Sequence, residues 1–231
     1  MKLLIIIPTY NEQENIKKLI ENIFAYTPNV SILIIDDSSP DGTAATIKKL
    51  QKEFYNLHFI IRSSKSGLAR AYIDGFKWGI EKNFDTFLQM DADFSHNPKY
   101  IPEMTKQIQI NDVVIGSRLV KGGGIKNRSA LRQMITFLGS LYARIILNCP
   151  MKDLTGGFNM WNLATINKID LDNIICIGYG FQIEMKYRAF KAGSKITEIP
   201  IIFEERNYGK SKMSIGILFE ALIKIFRIKF L

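Results

Sequence analysis

The sequence lacks the features of an integral membrane protein and of a disulfide-bonded protein. Its 231 residues include two cysteines, Cys149 and Cys176, which are too few for a disulfide framework and lack the spacing of a metal site. No apolar run approaches the roughly 20 residues that a spanning helix needs. The opening "LLIII" is cut short by Pro8, so we expect no signal peptide. The scarcity of cysteine agrees with a reducing compartment.

Two common nucleotide-binding motifs are also missing. The glycine-rich stretch "KGGGIKNR" at 121–128 lacks the Gly-Lys-Ser/Thr ending of a P-loop. No Gly-x-Gly-x-x-Gly follows the first predicted strand either. Hydrolysis of ATP by a P-loop and redox chemistry with a dinucleotide are therefore poor hypotheses.

Acidic residues are absent from residues 113–152, in a chain whose formal net charge is +9. The segment holds seven bases: Arg118, Lys121, Lys126, Arg128, Arg132, Arg144 and Lys152. Scattered bases are usually solvated, but Arg118 directly follows the predicted strand "DVVIGS". A guanidinium there is suited to hold a phosphate by two hydrogen bonds. The charge favours anionic partners such as phosphorylated ligands, anionic lipid or nucleic acid.

Strands and helices alternate along the first half of the chain. Continuous apolar runs predict buried strands at "KLLIII", 31–37 and 57–62, and helical periodicity predicts helices between them and over 68–81. Asn11 and Glu14 have the spacing of a capping box, which predicts that they start the first helix. Strict alternation of this kind predicts a doubly wound α/β fold with a mostly parallel sheet.

Polar loops follow the predicted first, second and fourth strands, and ligands bind at that end of such sheets. These loops, "PTYNE", "DDSSPDGT" and "DADFSHNP", carry six acids: Glu12, Asp36, Asp37, Asp41, Asp91 and Asp93. We expect Asp41 and Asn11 to cap helices. For Asp91 and Asp93 we expect a divalent cation that bridges them to a diphosphate. Asp37 is expected to meet the base or ribose of the same nucleotide.

The stretch "SIGILFEALIKIFRIKFL" at 214–231 predicts a helix whose charge is mostly basic. Its narrow polar stripe consists of Gly216, Glu220, Lys224 and Arg227. A helix that packs on the core and a helix that lies in a membrane interface both fit this pattern. We expect one main domain over 1–213 and this amphipathic helix over 214–231.

Seven motifs occur in the order seen in family 2 glycosyltransferases: "IIIPTYNE", "IIDDSSPDGT", "LQMDADFSHNP", "VIGSR", "DLTGGF", "GYGFQIEM" and "IPIIFEERNYGKSKM". The chain resembles this family over residues 3 to about 215, and within it the catalytic subunits of polyprenol (dolichol) phosphate mannose synthases. The resemblance implies a GT-A fold, Rossmann-like and mostly parallel, in the 1–213 domain.

The resemblance also implies an activity and its partners. It implies transfer of a sugar, with GDP-mannose the favoured donor, onto a polyprenyl phosphate with inversion and with Mg²⁺ or Mn²⁺ as cofactor. We also expect a peripheral protein at the cytoplasmic face of a membrane, with a separate membrane-anchoring subunit left open, and no nucleic acid as partner.

Site roles carry over by resemblance onto the matching residues. The nucleoside pocket would be lined by Pro8, Tyr10, Glu12, Ile35 and Asp37. The diphosphate and metal would meet Asp91, Ala92 and Asp93, with Asp91 and Asp93 as the metal ligands. The acceptor phosphate would be held by Arg118, Arg132 and Thr136. A loop with Arg206 and Lys212 would close over the site, and the sugar would lie near Gln182 and Glu184. Many relatives have Gln at Ser95 as a third metal ligand, Ser-Arg-Gly at Thr136-Phe137-Leu138, and Arg at Asn159.

The chemistry of the acceptor separates the alternatives. A phosphate monoester is largely ionised at neutral pH, since its second pKa is about 6, so it needs cations that position it and no strong base. The same fold with a glycan hydroxyl acceptor would need a base, for which Glu184 is the candidate. A nucleotidyltransferase would have a glycine-rich basic loop where this chain has "PTYNE". A nucleic-acid-binding module would show a recognition motif, and the acidic loops would repel a phosphate backbone.

Overall fold

The computed structural model describes residues 1–178, 180–204 and 224–230. Strands of the main sheet are β1 (Leu3–Thr9), β2 (Ser31–Asp36), β3 (Leu57–Ile61), β4 (Thr86–Gln89), β5 (Val113–Ser117), β7 (Asn159–Asn162) and β8 (Ile196–Pro200). They lie in the order β3-β2-β1-β4-β7-β5-β8. All neighbours pair in parallel except β7, which is antiparallel to both β4 and β5. Two further strands, β6 (Gly124–Lys126) and β9 (Ile202–Glu204), form a separate parallel pair.

Helices cover both faces of the sheet. Their bounds are α1 (Gln13–Tyr26), α2 (Thr43–Leu50), α3 (Leu68–Glu81), α4 (Ile101–Gln107), α5 (Ala130–Leu147), α6 (Leu163–Lys168) and α7 (Gly180–Lys191). Within β1, Leu4 and Ile6 face one core layer whereas Ile5 and Ile7 face the other. This explains the continuous apolar run, because a strand covered on both faces has no polar side. Burying one such side chain stabilises the fold by about 1.5–3 kcal/mol.

Helix α3 lies unusually close to the sheet because it presents two glycines to it. A Cβ at Gly75 would lie 2.5 Å from Ile6 Cγ2, and one at Gly79 would lie 2.6 Å from Phe87 Cε1. The same face buries Tyr72, whose hydroxyl reaches the loop after β4. Close packing of α3 therefore positions one side of the candidate site.

The capping-box prediction at Asn11 and Glu14 is wrong. Helix α1 begins at Gln13, and its N-cap residue makes no side-chain cap bond. Asn11 has a φ of 61°, in the left-handed region that Asn tolerates, and its backbone N–H donates to Ser39 Oγ. Asp41 does cap helices as expected, because its carboxylate accepts the backbone N–H groups of Gln13 and Thr43. One acid thus ties the first turns of α1 and α2 together.

The described C-terminal residues form a short helical stretch over 224–228. Ile225 and Ile228 are buried in the core layer of α5 and α7, whereas Phe226 and Phe230 are exposed. This stretch therefore packs on the core with one face and presents aromatic rings on another. The expected boundary between residues 213 and 214 lies outside the described residues. Within the described ranges, no helix has the length and apolar character needed to cross a membrane.

Candidate active site

Two acids lie directly after β4, at the carboxyl edge of the sheet. Asp91 Oδ1 accepts a hydrogen bond from the Tyr72 hydroxyl at 3.1 Å, and Asp93 Oδ1 accepts the Ser95 backbone N–H at 3.1 Å. Burial, together with the charge of Asp91, raises the pKa of Tyr72 well above its usual value, so the phenol stays a donor. Ala92 between the acids is buried, which leaves both carboxylates at the rim and partly open to solvent.

A buried histidine stands behind this pair of acids. The Asp91 backbone N–H donates to His96 Nδ1 at 3.0 Å, and the ring stacks on Phe158 with centroids 5.0 Å apart. Burial lowers the pKa of His96, so the ring is neutral near pH 7 and its proton sits on Nε2. Nε2 lies 3.9 Å from Asp91 Oδ2. His96 therefore orients Asp91 and, in this tautomer, offers a metal no lone pair.

The expected nucleoside acid is held by an arginine that sequence reasoning missed. Asp37 forms an ion pair with Arg62, which follows β3, and accepts the Gly67 backbone N–H at 3.2 Å. Arg62 also donates to the Gly67 carbonyl at 3.0 Å and to Asp74 at 3.3 Å. Both side chains of the Asp37–Arg62 pair are about nine-tenths buried. The pair joins the second loop of the rim to the start of α3.

The other expected nucleoside residues divide into two groups. Tyr10 and Pro8 are half-buried at the end of β1, and Lys65 Nζ lies 3.9 Å from the Tyr10 ring centroid. Glu12 is half-buried at the start of α1 and accepts a hydrogen bond from Asn15. Ile35 is different, since it is completely buried in the core beneath the loop and does not bring its side chain to the rim.

The expected acceptor arginine is held in a buried ion pair. Asp153, which ends the acid-free segment, accepts from Arg118 Nε at 2.8 Å and from Nη2 at 2.7 Å. The Arg118 backbone N–H also donates to Asp153 at 2.9 Å, and Nη2 donates to the Thr155 hydroxyl at 2.8 Å. Burial alone would raise the pKa of Asp153, but the Arg118 guanidinium holds it well below its usual range. Arg118 is thus fixed in direction, and much of its charge is balanced.

One aromatic ring contacts both Arg118 and a second arginine, Arg128. Phe203 on β9 lies 5.5 Å from the Arg118 guanidinium and 5.8 Å from that of Arg128. Arg128 donates to the Thr136 hydroxyl at 3.0 Å, and that hydroxyl donates to the Arg132 carbonyl at 3.1 Å. The structure therefore brings Thr136 close to Arg118 through Arg128, a residue that the sequence-based assignment left out. Arg132 lies one helical turn before Thr136 on α5.

The loop 153–157 joins the acidic and basic clusters. A Cβ placed on Gly157 would lie 3.3 Å from His96 Cε1, 3.6 Å from Gln182 Nε2 and 3.8 Å from Asp91 Oδ2. Gln182 Oε1 accepts from Asn159 Nδ2 at 3.0 Å, which turns Nε2 toward the glycine. Among the described residues, this buried Nε2 has no hydrogen-bond partner. An unused donor beside Asp91 suits a hydroxyl or phosphate oxygen of a bound substrate.

The expected sugar-side acid, Glu184, has a different position. It is fully buried, and Arg188 donates to it at 2.7 Å. The backbone N–H groups of Ile175 and Cys176 also donate to the Glu184 carboxylate, at 3.1 and 2.9 Å. Glu184 therefore holds the loop before α7 in place. The expected closing loop with Arg206 and Lys212 lies outside the described residues.

The acids fit a divalent cation that is shared with a substrate. Within the described ranges, no group of three or more His, Cys, Asp or Glu side chains is arranged around a common metal position. Asp91 and Asp93 thus supply two carboxylates, and diphosphate oxygens and water would complete the shell. Mg²⁺ is commonly bound in this way, by one or two carboxylates and substrate phosphates.

These features define a class of protein. A mostly parallel sheet with an Asp-x-Asp after its fourth strand, joined to a basic region by the loop 153–157, is the arrangement of a GT-A glycosyltransferase. Residues 4–183 match the model of the family described as "Glycosyl transferase family 2". The chain belongs to this family, and it is an enzyme of the glycosyltransferase class.

Two relatives match most of the chain. It is 42% identical over 227 residues to an undecaprenyl-phosphate mannosyltransferase of Micrococcus luteus, covering 98% of this chain and 93% of the relative. It is 38% identical over 224 residues to a polyprenol monophosphomannose synthase of Mycolicibacterium smegmatis, covering 96% of this chain and 84% of the relative.

Solved structures of low identity confirm the fold. A glucosyl-3-phosphoglycerate synthase of Mycobacterium tuberculosis, in complex with Mn²⁺, UDP and glucosyl-3-phosphoglycerate, superposes with a TM-score of 0.67 at 14% identity. The match covers 98% of this chain and 78% of the synthase. A mannosyltransferase of Pyrobaculum calidifontis, in complex with GDP-mannose and Mn²⁺, superposes with a TM-score of 0.63 at 11% identity. This match covers 98% of this chain and 69% of the mannosyltransferase.

Proposed function

We propose that this enzyme transfers mannose from GDP-mannose, with inversion, to the phosphate of a polyprenyl phosphate. The observation that carries the proposal is that the loop 153–157 contacts both clusters. Its end at Gly157 lies against Asp91 of the acidic rim, which is suited to a metal and a diphosphate, and its Asp153 and Thr155 hold Arg118 of the basic region, which is suited to a second phosphate. The names of the two relatives support the same donor sugar and the same class of acceptor.

The residues of the chain would mainly orient and hold the two substrates. Asp91 and Asp93 would hold Mg²⁺ or Mn²⁺, which when bound neutralises charge on the leaving diphosphate. Gln182 Nε2 would donate to the sugar or to a phosphate oxygen beside Asp91. Arg128 and Arg132 would hold the acceptor phosphate, and Arg118 would contribute from its fixed position against Asp153. Because the acceptor phosphate is already ionised, no proton has to be removed from it.

The geometry at Glu184 supports a phosphate acceptor over a glycan hydroxyl. A hydroxyl acceptor needs a base within hydrogen-bond reach of its proton. Glu184 was the candidate for that base, but it is buried and engaged by Arg188 and two backbone N–H groups. The rim acids are the expected ligands of the metal, which leaves the phosphate acceptor as the better hypothesis.

The exposed face of helix α5 supports the proposal that the enzyme acts at a membrane surface. Its buried face consists of Thr136, Ser140, Ala143 and Leu147. Its opposite face exposes five large apolar side chains by half or more: Leu131, Met134, Phe137, Leu138 and Ile145. An exposed apolar helix face beside basic residues suits the interface of an anionic bilayer, where the head of a polyprenyl phosphate lies. The buried cysteines Cys149 and Cys176 are reduced thiols, which fits the cytoplasmic side.

Thermal unfolding with different donors tests the proposal. GDP-mannose with Mn²⁺ should raise the melting temperature more than UDP-glucose with Mn²⁺, and EDTA should remove most of the effect. A ligand at 100 times its Kd adds about 2.7 kcal/mol of stability, which such a scan detects readily. Stabilisation by UDP-sugars alone would overturn the choice of donor, and stabilisation by no nucleotide sugar would overturn the proposed function.

A further inference from the structure

Lys186 on α7 is a buried cation that neither the family match nor the substrate roles above explain. Its side chain is completely buried. Nζ donates to three backbone carbonyls of the loop 153–157, at 2.9 Å to Asp153, 3.3 Å to Leu154 and 2.7 Å to Gly156. Three acceptors match the three N–H groups of an ammonium ion. A neutral amine has only two and would leave one carbonyl without this donor.

The loop that Lys186 holds is the one that joins the two halves of the site. Asp153 in this loop fixes Arg118, and Thr155 receives a hydrogen bond from Arg118 and contacts the Ser140 hydroxyl at 3.1 Å. Gly157 at its end lies against Asp91 and Gln182. A shift of this loop would therefore move the acceptor arginine and the sugar-side wall together.

The charges around Lys186 make its protonation relevant to anion binding. The groups that face it are Asp153, Arg118 after β5, and Glu198 on β8. Glu198 accepts the backbone N–H groups of Lys152 and Asp153 from the far side of the loop. When Lys186 is protonated, the positive charges of Lys186 and Arg118 balance the negative charges of Asp153 and Glu198. When Lys186 is a neutral amine, only Arg118 opposes the two carboxylates, and the region beneath the expected acceptor phosphate carries a net negative charge.

We propose that Lys186 is a positioning residue whose ammonium holds the loop 153–157 and thereby keeps Arg118 set for an anionic acceptor. The inference rests on the proposed function for the identity of that acceptor. It adds that the site has its full affinity for the acceptor phosphate only while Lys186 is protonated, and that binding of a phosphate favours the protonated form of Lys186.

Burial makes this protonation sensitive near neutral pH. It lowers the pKa of Lys186 to about 7, while the nearby Asp153 carboxylate acts in the opposite direction. The ammonium is therefore present below about pH 7 and is lost as the pH rises above it. A bound phosphate should raise this pKa, so acceptor binding should take up a proton at about pH 8.

The test compares wild type, Lys186→Met and a matched control, Lys191→Met, which removes an exposed lysine from the same helix. Initial rates are measured from about pH 6 to pH 9 with undecaprenyl phosphate and GDP-mannose. We expect Lys186→Met to lose about tenfold or more in kcat/KM for the acceptor at low pH, mainly through KM, with the KM for the donor nearly unchanged. The loss should shrink as the pH rises, because the wild type then loses its ammonium too. Lys191→Met should match wild type throughout.

A loss that is constant across the pH range, or no loss at all, would overturn the proposal. If Lys186→Met does not fold, Lys186→Gln takes its place, since it keeps an N–H donor without the charge. A separate arm needs neither transfer nor a variant: ¹³C NMR of labelled lysine side chains in wild type, with and without inorganic phosphate. One lysine should titrate near neutral pH, and its pKa should rise when phosphate is added. Failure of transfer alone would count against the proposed function, whereas absence of such a lysine would overturn the role of Lys186.

Discussion

At the scale of single residues, Asp93 offers the most direct test of the metal site. Asp93→Asn should reduce transfer by about a hundredfold or more, because a neutral amide cannot balance the cation that stabilises the leaving diphosphate. The fold should be kept, since the hydrogen bond that Asp93 Oδ1 accepts from the Ser95 backbone N–H can also be accepted by the amide oxygen of Asn. Isothermal titration of GDP with and without Mn²⁺ supplies the second readout, and binding to the variant should no longer depend on Mn²⁺. Full activity of Asp93→Asn would remove Asp93 from the metal site.

The buried pair of Asp153 and Arg118 should be a major source of stability. Asp153→Asn leaves the guanidinium buried without its counter-charge, which typically costs about 3–5 kcal/mol. The exposed pair of Lys77 and Asp172 gives a matched control, because Asp172→Asn should cost less than about 1 kcal/mol. Urea unfolding of both variants measures the difference. Equal losses would show that the Asp153 pair is as weak as a surface pair.

Residue roles could be predicted from sequence where a motif fixes them, and not where the partner is distant. Asp91, Asp93 and Arg118 were placed at the rim because each directly follows a buried strand. The partner of Arg118 could not be found, since Asp153 lies 35 residues away and meets it only through the antiparallel strand order. The end of the acid-free segment at Asp153 was the available signal. Lys186 gave no signal, because a lysine in a helix is normally exposed.

At the scale of elements, helix α5 should control attachment to membranes. The double variant Met134→Glu and Leu138→Glu should weaken co-sedimentation with anionic vesicles by roughly tenfold or more, since each change removes apolar area from the interface. Ile110→Glu is the control, because Ile110 is even more exposed than Met134 and Leu138 but lies outside α5. Nucleotide binding should be the same in all three proteins. Unchanged vesicle binding in the α5 variant would move the membrane contact to another surface.

The elements of the first half could be predicted well because their patterns are local. The helix expected over 68–81 is α3 (Leu68–Glu81), and the expected strands at 31–37 and 57–62 are β2 and β3. The strict alternation did not extend to the second half, where β7 enters the sheet antiparallel between β4 and β5. Its four residues, "NMWN", carry no alternation or length that distinguishes a central strand from a loop.

At the scale of the whole molecule, stability should depend on pH through Lys186. The folded pKa of about 7 lies below the usual value of 10.5, so the folded state binds fewer protons than the unfolded state between these limits. The free energy of unfolding should therefore rise with pH from about 7 to about 10, by at most about 1.4 kcal/mol per pH unit from this group. Urea unfolding at several pH values measures the slope, and Lys186→Met should flatten it. A falling or flat slope in wild type, matched by the variant, would contradict the lowered pKa.

In the proposed reaction the sugar passes to a phosphate and not to a hydroxyl. The most direct measurement supplies the purified enzyme with labelled GDP-mannose and Mn²⁺, and with either undecaprenyl phosphate or undecaprenol, which has the same chain without the phosphate. We expect label only in the phosphate-bearing lipid, with the anomeric configuration of mannose inverted when the product is analysed by NMR. Equal labelling of undecaprenol, or a product in which mannose keeps its anomeric configuration, would contradict the proposed reaction.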